Sequence, residues 1–170
     1  MAAKATVEEL KQFKLFRKLE TDELRYLAQN LEAREYKKDE VIYREKDIPS
    51  VLYLVQKGGV EITKMVPTGH RQVISIILSG QFFGELSFFE SRRHAAQARA
   101  TADCKLLLLH RFVYDEIEKA QPLLAHKLLK EIILILGKNL DNMNDTFLEI
   151  INFAFYSAGA GKIENPEQED

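Results

Sequence analysis

The sequence of 170 residues has few of the features that mark secreted, membrane or disulfide-stabilised proteins. Its single cysteine, Cys104, cannot form an internal disulfide and agrees with a reducing compartment. No uncharged apolar stretch is long enough to span a bilayer, and the N-terminus has no apolar signal region. We therefore expect a cytoplasmic protein that makes no membrane contact.

An excess of one charge and the motifs of catalysis are also lacking. The 24 Lys and Arg residues nearly balance the 26 Asp and Glu residues, and the net charge of -2 predicts no bulk attraction to nucleic acid. No nucleophile motif appears, and the four histidines form no metal-ligand spacing with one another or with Cys104. We expect no enzymatic activity, no catalytic residues, no metal and no cofactor.

Short β-rich runs separated by turn signals fill the middle of the chain. Gly58-Gly59 and Pro67-Thr68-Gly69 are two of these turn signals. Short strands at such spacing predict an antiparallel, jelly-roll-like β-roll within an α+β fold. The runs are Val41–Tyr43, Val51–Val55, Val60–Thr63, Val73–Leu78, about 97–101 and about 105–110.

Helical patterns flank this β-roll, which we assign to residues 34–111. A helical lead-in covers residues 1–33, and C-terminal helices cover residues 112–157. Residues 1–157 are therefore predicted to form one domain. The small, polar and acidic residues 158–170 are expected to form a flexible tail.

The last helix carries a regular apolar stripe, here called the seam. At ~1.5 Å per residue the seam is about 40 Å long, and a heptad stripe of this length usually pairs with a second helix. We therefore expect a homodimer through residues 129–154. A helix packed only within its own chain is the alternative, and Gly137 weakens the helix. The seam consists of Leu129, Ile133, Leu136, Leu140, Met143, Phe147, Ile150 and Ala154.

The stretch from residue 80 to residue 100 contains the candidate binding residues. Gly84 lets the backbone turn sharply and approach a ligand closely. If residues 85–88 form a short helical turn, their N–H groups provide an anion site. Because a carboxylate would repel a phosphate there, Glu85 is expected to accept a hydrogen bond from a sugar hydroxyl, while a cation from the far side of the loop neutralises the phosphate.

The run Phe83-Gly84-Glu85-Leu86-Ser87 resembles the phosphate-binding cassette of the cyclic-nucleotide-binding domain family. Members include the regulatory subunit of cyclic-AMP-dependent protein kinase and the bacterial catabolite activator protein. The segments 40–43, 54–58 and 99–104 also lie where the family has counterparts, and the resemblance covers roughly residues 10–155.

The resemblance implies roles for individual residues. Glu85 would hold the ribose 2′-hydroxyl, and the main-chain amides of Leu86, Ser87 and Ala95 would lie on the phosphate and sugar. Ala95 also favours cyclic AMP over cyclic GMP, because members selective for cyclic GMP tend to have a hydroxyl there. The last helix would cover the base, with Asn139 near the base-contacting position. Aromatic alternatives for that cover are Phe147, Phe153 and Tyr156.

One position departs from the family pattern. Nine residues after Glu85, where the family has an Arg that pairs with the cyclic phosphate, this chain has His94. Losing a charge-assisted hydrogen bond of about 1.5–3 kcal/mol weakens binding roughly 10- to 150-fold. Three interpretations are open: Arg93 reaches the phosphate instead, His94 becomes protonated beside the phosphate, or the cassette has degenerated. Gln97 replaces the small hydroxyl residue that is common at its position in the family, and we expect it to crowd or rewire the binding site.

Two functions are consistent with these features. The first is a stand-alone, non-enzymatic sensor that binds cyclic AMP with modest affinity and relays binding through the C-terminal helix. The second is a degenerate member of the fold that acts as a ligand-independent dimeric adaptor for a protein partner. Neither includes DNA binding, because too little chain follows the last helix for a helix-turn-helix. The candidate docking cluster is Ile150, Ile151, Phe153, Phe155 and Tyr156.

Overall fold

The computed structural model describes residues 5–48, 50–90 and 92–157. The strands are β1 (Glu32–Tyr36), β2 (Val41–Tyr43), β3 (Val51–Lys57), β4 (Gly59–Met65), β5 (Arg71–Leu78), β6 (Phe82–Phe83), β7 (Gln97–Ala100) and β8 (Cys104–His110). They form two antiparallel sheets of four strands, in the orders β1-β8-β3-β6 and β2-β7-β4-β5. The predicted antiparallel β-roll is confirmed.

Helices precede and follow the roll in the chain. They are α1 (Val7–Leu10), α2 (Thr21–Asn30), α3 (Glu85–Glu90), α4 (Arg111–Ala120) and α5 (Pro122–Ser157), with a 3₁₀ turn at Lys14–Phe16. Thr6 caps α1 reciprocally with Glu9, since each side chain accepts a hydrogen bond from the main-chain amide of the other. The predicted C-terminal helices and the short helical turn after Gly84 are both present.

Two strands have no counterpart among the predicted β-rich runs. Strand β1 reads Glu-Ala-Arg-Glu-Tyr, and only Tyr36 of these residues is buried, so it lacks the β-branched alternation that marks a strand. It pairs along its whole length with β8. Strand β6 has only two residues and is defined by its pairing with β3. Tertiary pairing, rather than local composition, determines both strands.

The core of the roll lies between the two sheets. Strands β3 and β8 are apolar along most of their length and are buried on both faces. One face contributes to the core between the sheets, and the other face, which includes Leu52, Leu54 and Leu107, is buried as well. The intersheet core consists of Tyr36, Tyr43, Val51, Tyr53, Val55, Val60, Phe83, Ala98, Ala100, Cys104, Leu106 and Leu108.

Ion pairs connect the first turns of α5 to the N-terminal segment. Arg17 Nε lies 2.8 Å from a carboxylate oxygen of Glu131, whose side chain is buried. Lys127 Nζ lies 2.8 Å from both carboxylate oxygens of Glu23 on α2. A buried carboxylate is costly without a cationic partner, so Arg17 compensates the burial of Glu131.

The chain divides into two compact units, Met1–Glu131 and Ile132–Asp170, and α5 runs through the boundary between them. The predicted single domain over residues 1–157 stays a prediction. The expected flexible tail, residues 158–170, lies outside the described residues. Within the described part of the chain, no helix combines the length and apolar composition needed to cross a bilayer.

Candidate functional site

A left-handed turn at Gly84 connects β6 to α3. Its φ angle is +88°, a value that residues with a side chain rarely adopt. A Cβ atom added here would lie 3.3 Å from the Val51 carbonyl oxygen and 3.3 Å from the Tyr53 ring. Gly84 therefore allows the main chain to turn while it lies close against β3, as the sequence analysis predicted.

Helix α3 begins immediately after this turn. Its first intrahelical hydrogen bond runs from the Phe88 amide to the Gly84 carbonyl, at 2.9 Å. The amides of Leu86 and Ser87 consequently have no acceptor within the helix. The Ser87 side chain is buried and the Leu86 side chain is exposed. Two of the three predicted amide donors, Leu86 and Ser87, are thus at the start of a helix, where an anion is favoured.

The Glu85 carboxyl group is half-buried at the start of α3. Desolvation raises its pKa, and a hydrogen bond from its own main-chain amide lowers that pKa in part. No other residue of the described chain donates a hydrogen bond to this carboxylate. Glu85 can therefore accept hydrogen bonds from the hydroxyl groups of a ligand.

Aromatic side chains from both sheets lie next to Gly84 and Glu85. Phe83 and Tyr53 are stacked with ring centroids 5.0 Å apart, and Tyr43 is tilted against both. Desolvation raises the pKa of Tyr53 to about 12 and raises the pKa of Tyr43 further, with the nearby charge of Glu85 also acting on Tyr43. These shifts identify the surroundings of Glu85 as a poorly solvated region.

His94 lies against this aromatic group instead of projecting into solvent. Its ring is stacked on Tyr43 with centroids 3.7 Å apart and planes 7° apart, and the residue is only 5% exposed. Two main-chain hydrogen bonds hold it there, His94 N to Asp47 O at 3.0 Å and Lys46 N to His94 O at 2.8 Å. Burial lowers the pKa of His94, and the charge of Asp47 opposes this shift. Burial therefore favours the neutral form of the ring.

The two arginines before His94 are exposed and engaged with other groups. Arg92 pairs with Glu90 at 2.7 Å, and Arg93 donates to the Lys46 carbonyl oxygen at 2.8 Å. Neither contact points to a phosphate-binding role. That Arg93 takes the place of the family arginine stays a prediction.

The remaining predicted residues are more dispersed. Ala95 follows His94 and is exposed, and Gln97 begins β7 and is half-buried. Asn139 is an exposed residue of α5 in the second compact unit. Phe83, Gly84, Glu85 and the ring of His94 are brought together around Tyr43, whereas a base-contacting role for Asn139 stays a prediction.

Sequence reasoning missed two residues of this region. Tyr43 receives the His94 ring, and its position as the last residue of an apolar run was the only signal available. Arg111 links α3 to α4, because it donates to the Phe88 carbonyl oxygen at 2.9 Å and its guanidinium lies over the rings of Phe88 and Tyr114. No local motif marks this arginine, since its acceptor is 23 residues earlier in the chain.

No metal site accompanies these residues in the described part of the chain. Within residues 5–48, 50–90 and 92–157, no group of three or more His, Cys, Asp or Glu side chains is arranged to hold a metal ion. The arrangement offers hydrogen-bond donors and acceptors for a ligand.

The chain is similar in sequence to known proteins. A family model described as cyclic nucleotide-binding domain matches residues 33–117. The cyclic AMP receptor protein of Thermus thermophilus is 30% identical over 114 residues, which are 67% of this chain and 53% of that protein. The cAMP-dependent protein kinase regulatory subunit of Blastocladiella emersonii is 25% identical over 108 residues, 64% of this chain and 27% of that protein. The chain thus spans about half of the first relative's length and less of the second.

Solved structures agree on the fold. A cyclic nucleotide-binding domain from Methylobacillus flagellatus has a TM-score of 0.75 and 24% identity, covering 84% of this chain and 80% of that chain. The catabolite activator protein of Thermus thermophilus has a TM-score of 0.68 and 27% identity, covering 82% of this chain and 63% of that chain.

The packing of Gly84 yields a test of the turn. We expect Gly84→Ala to lower the free energy of unfolding by about 1–3 kcal/mol, since it adds a side chain at positive φ and in close contact with β3. The matched control is Gly69→Ala, which has nearly the same φ, +87°, but no atom within 4 Å of the added Cβ. Urea unfolding measures both, and equal losses would contradict the packing role.

The buried ring of His94 yields a pH test. The lowered pKa keeps His94 neutral in the fold while the unfolded chain takes up a proton, so stability is complete above the ordinary value of 6.5 and is lost as the pH falls through it. We expect His94→Phe, which keeps an aromatic ring, to reduce this loss between about pH 7.5 and 5.5. Exposed His126 supplies the control, His126→Phe, which should keep the wild-type profile. Identical profiles for all three proteins would contradict the assignment.

Proposed function

This chain belongs to the cyclic nucleotide-binding domain family, and on that premise we propose that it is a non-enzymatic regulatory module that binds cyclic AMP with modest affinity. The observation that carries the proposal is the half-buried Glu85 carboxylate beside the Gly84 turn and the open amides of Leu86 and Ser87. A ribose hydroxyl satisfies the carboxylate, and a cyclic phosphate satisfies the amides. Affinity is modest because His94 replaces a permanent cation.

The preference for cyclic AMP over cyclic GMP is part of the same proposal. Ala95 has no hydroxyl to offer a guanine or phosphate group. The names of the Thermus thermophilus and Blastocladiella emersonii relatives both refer to cyclic AMP, which supports this choice. Asn139 is retained as the proposed contact to the base.

Relay to the C-terminal helix is proposed to pass through Arg111. This residue holds the end of α3 through the Phe88 carbonyl and also pairs with Asp115 on α4, at 2.7 Å. A ligand bound at the start of α3 therefore contacts a helix that Arg111 connects to α4. Helix α5 begins two residues after α4 ends, so movement of α4 reaches it directly.

A ligand-independent adaptor is the second candidate. It is favoured by the buried, stacked ring of His94 and by the engagement of Arg92 and Arg93 with other groups. The exposed aromatic residues near the end of α5, including Phe153 and Tyr156, are the proposed docking surface for a protein partner. In either case we propose a cytoplasmic module that binds neither DNA nor membrane.

A homodimer through residues 129–154 is proposed for both candidates. Ile133, Leu140, Met143, Phe147 and Ile150 are all exposed in the single chain and recur at heptad spacing along α5. Pairing of this seam with a symmetry mate buries these side chains. The assembly would be isologous, because the same stripe is used by both copies.

Isothermal titration tests the binding proposal. We expect micromolar binding of cyclic AMP that disappears in Glu85→Ala, because Glu85 is the proposed acceptor for the ribose hydroxyl. We expect His94→Arg to raise cyclic AMP affinity by roughly one to two orders of magnitude, the value of a charge-assisted hydrogen bond. No binding of cyclic AMP by the wild-type protein or by His94→Arg would reject the sensor and favour the adaptor.

Analytical ultracentrifugation tests the dimer. Leu140 lies on the seam and is 53% exposed, and we expect Leu140→Lys to convert a dimer into a monomer because a charge enters the apolar interface. Leu148 is similarly exposed, at 57%, but lies off the seam, so Leu148→Lys is the matched control and should remain dimeric. A monomeric wild-type protein, or equal disruption by both variants, would contradict pairing through the seam.

A further inference from the structure

The arginine side chains near His94 in the sequence form ion pairs or hydrogen bonds with other groups, and the nearby lysine is exposed to solvent. Arg92 is paired with Glu90, and Arg93 donates to the Lys46 carbonyl. Arg99 on β7 is paired with acidic side chains on β4 and after β1, at 2.6 and 3.6 Å. The Lys46 side chain is exposed. An anion placed beside His94 would therefore find Arg92, Arg93 and Arg99 engaged with other groups and the Lys46 side chain in solvent.

His94 itself offers polar groups without a partner. The residue is more than nine-tenths buried, and within the described part of the chain neither ring nitrogen forms a hydrogen bond. A neutral imidazole provides one donor and one acceptor, which suits hydroxyl groups. An anion in the same poorly solvated surroundings would lose its hydration without gaining a charged partner.

Glu85 adds a second group of the same character. Tyr43 relates the two groups, because the His94 ring stacks on it with centroids 3.7 Å apart and the ring of Phe83, two residues before Glu85, lies 6.0 Å from it. A carboxylate accepts hydrogen bonds from two neighbouring hydroxyls. A nucleoside offers both the 2′- and the 3′-hydroxyl, whereas the 3′-oxygen of a cyclic nucleotide is part of the phosphate ester.

We propose that the site around Tyr43 that includes Glu85 and His94 binds an uncharged nucleoside at least as tightly as the corresponding cyclic nucleotide. This inference rests on the proposed function, because it concerns the same site and names a further ligand class for it. The uncharged ligand satisfies Glu85 and His94 with hydroxyl groups and brings no unpaired charge into the roll.

Isothermal titration of the full chain with adenosine and with cyclic AMP, at about pH 7.5, tests the proposal. In the wild-type protein we expect adenosine to bind as tightly as cyclic AMP or more tightly. In His94→Arg we expect cyclic AMP to gain at least about tenfold in affinity while adenosine gains none, since only the anion benefits from a fixed cation and arginine offers a hydroxyl group no acceptor. In His94→Gln, which is neutral at every pH, adenosine should still match or exceed cyclic AMP.

The outcomes separate this inference from the proposed function. Cyclic AMP that binds the wild-type protein at least about tenfold more tightly than adenosine overturns the inference and leaves the proposed function intact. Binding of neither ligand overturns both. Binding of adenosine that persists in Glu85→Ala also overturns the inference, because the hydroxyl groups would then be held elsewhere. If His94→Arg fails to fold, the wild-type comparison alone decides.

Discussion

The left-handed turn at Gly84 is the constraint on which the rest of the site depends. It packs against β3 so closely that a Cβ atom would lie 3.3 Å from both the Val51 carbonyl and the Tyr53 ring. From this turn the chain starts α3 (Glu85–Glu90). The position of Glu85 therefore depends on one residue that has no side chain, whereas His94 is held by main-chain hydrogen bonds to Lys46 and Asp47.

Desolvation controls the electrostatics around that turn. Burial raises the pKa of Glu85 and lowers the pKa of His94, so in both groups it disfavours the charged form. The His94 ring is stacked on Tyr43 at the position where the cassette that the sequence resembles has an arginine, which is an ion-pairing group. This difference lowers the affinity expected of the proposed sensor and favours the proposed adaptor.

Much of the fold could be predicted from sequence, and the exceptions have a common cause. Apolar runs such as β3 and β8 can be recognised as strands, because strands buried on both faces need continuous apolar residues. The helical period of α5 and its start at Pro122 could also be predicted. Strand β1 was not predicted, because its charged residues are in a strand only through pairing with β8, which lies more than 60 residues later in the chain.

For the candidate site, the sequence by itself determined the residue types: a glycine able to turn, a carboxylate after it, and a histidine nine residues further on. Only the tertiary structure decided what these side chains face. The stacking of His94 on Tyr43, the contact of Arg93 with Lys46 and the link from Arg111 to Phe88 all join distant parts of the chain. Such contacts follow from how the sheets and helices pack, and no local pattern encodes which side chains packing will bring together.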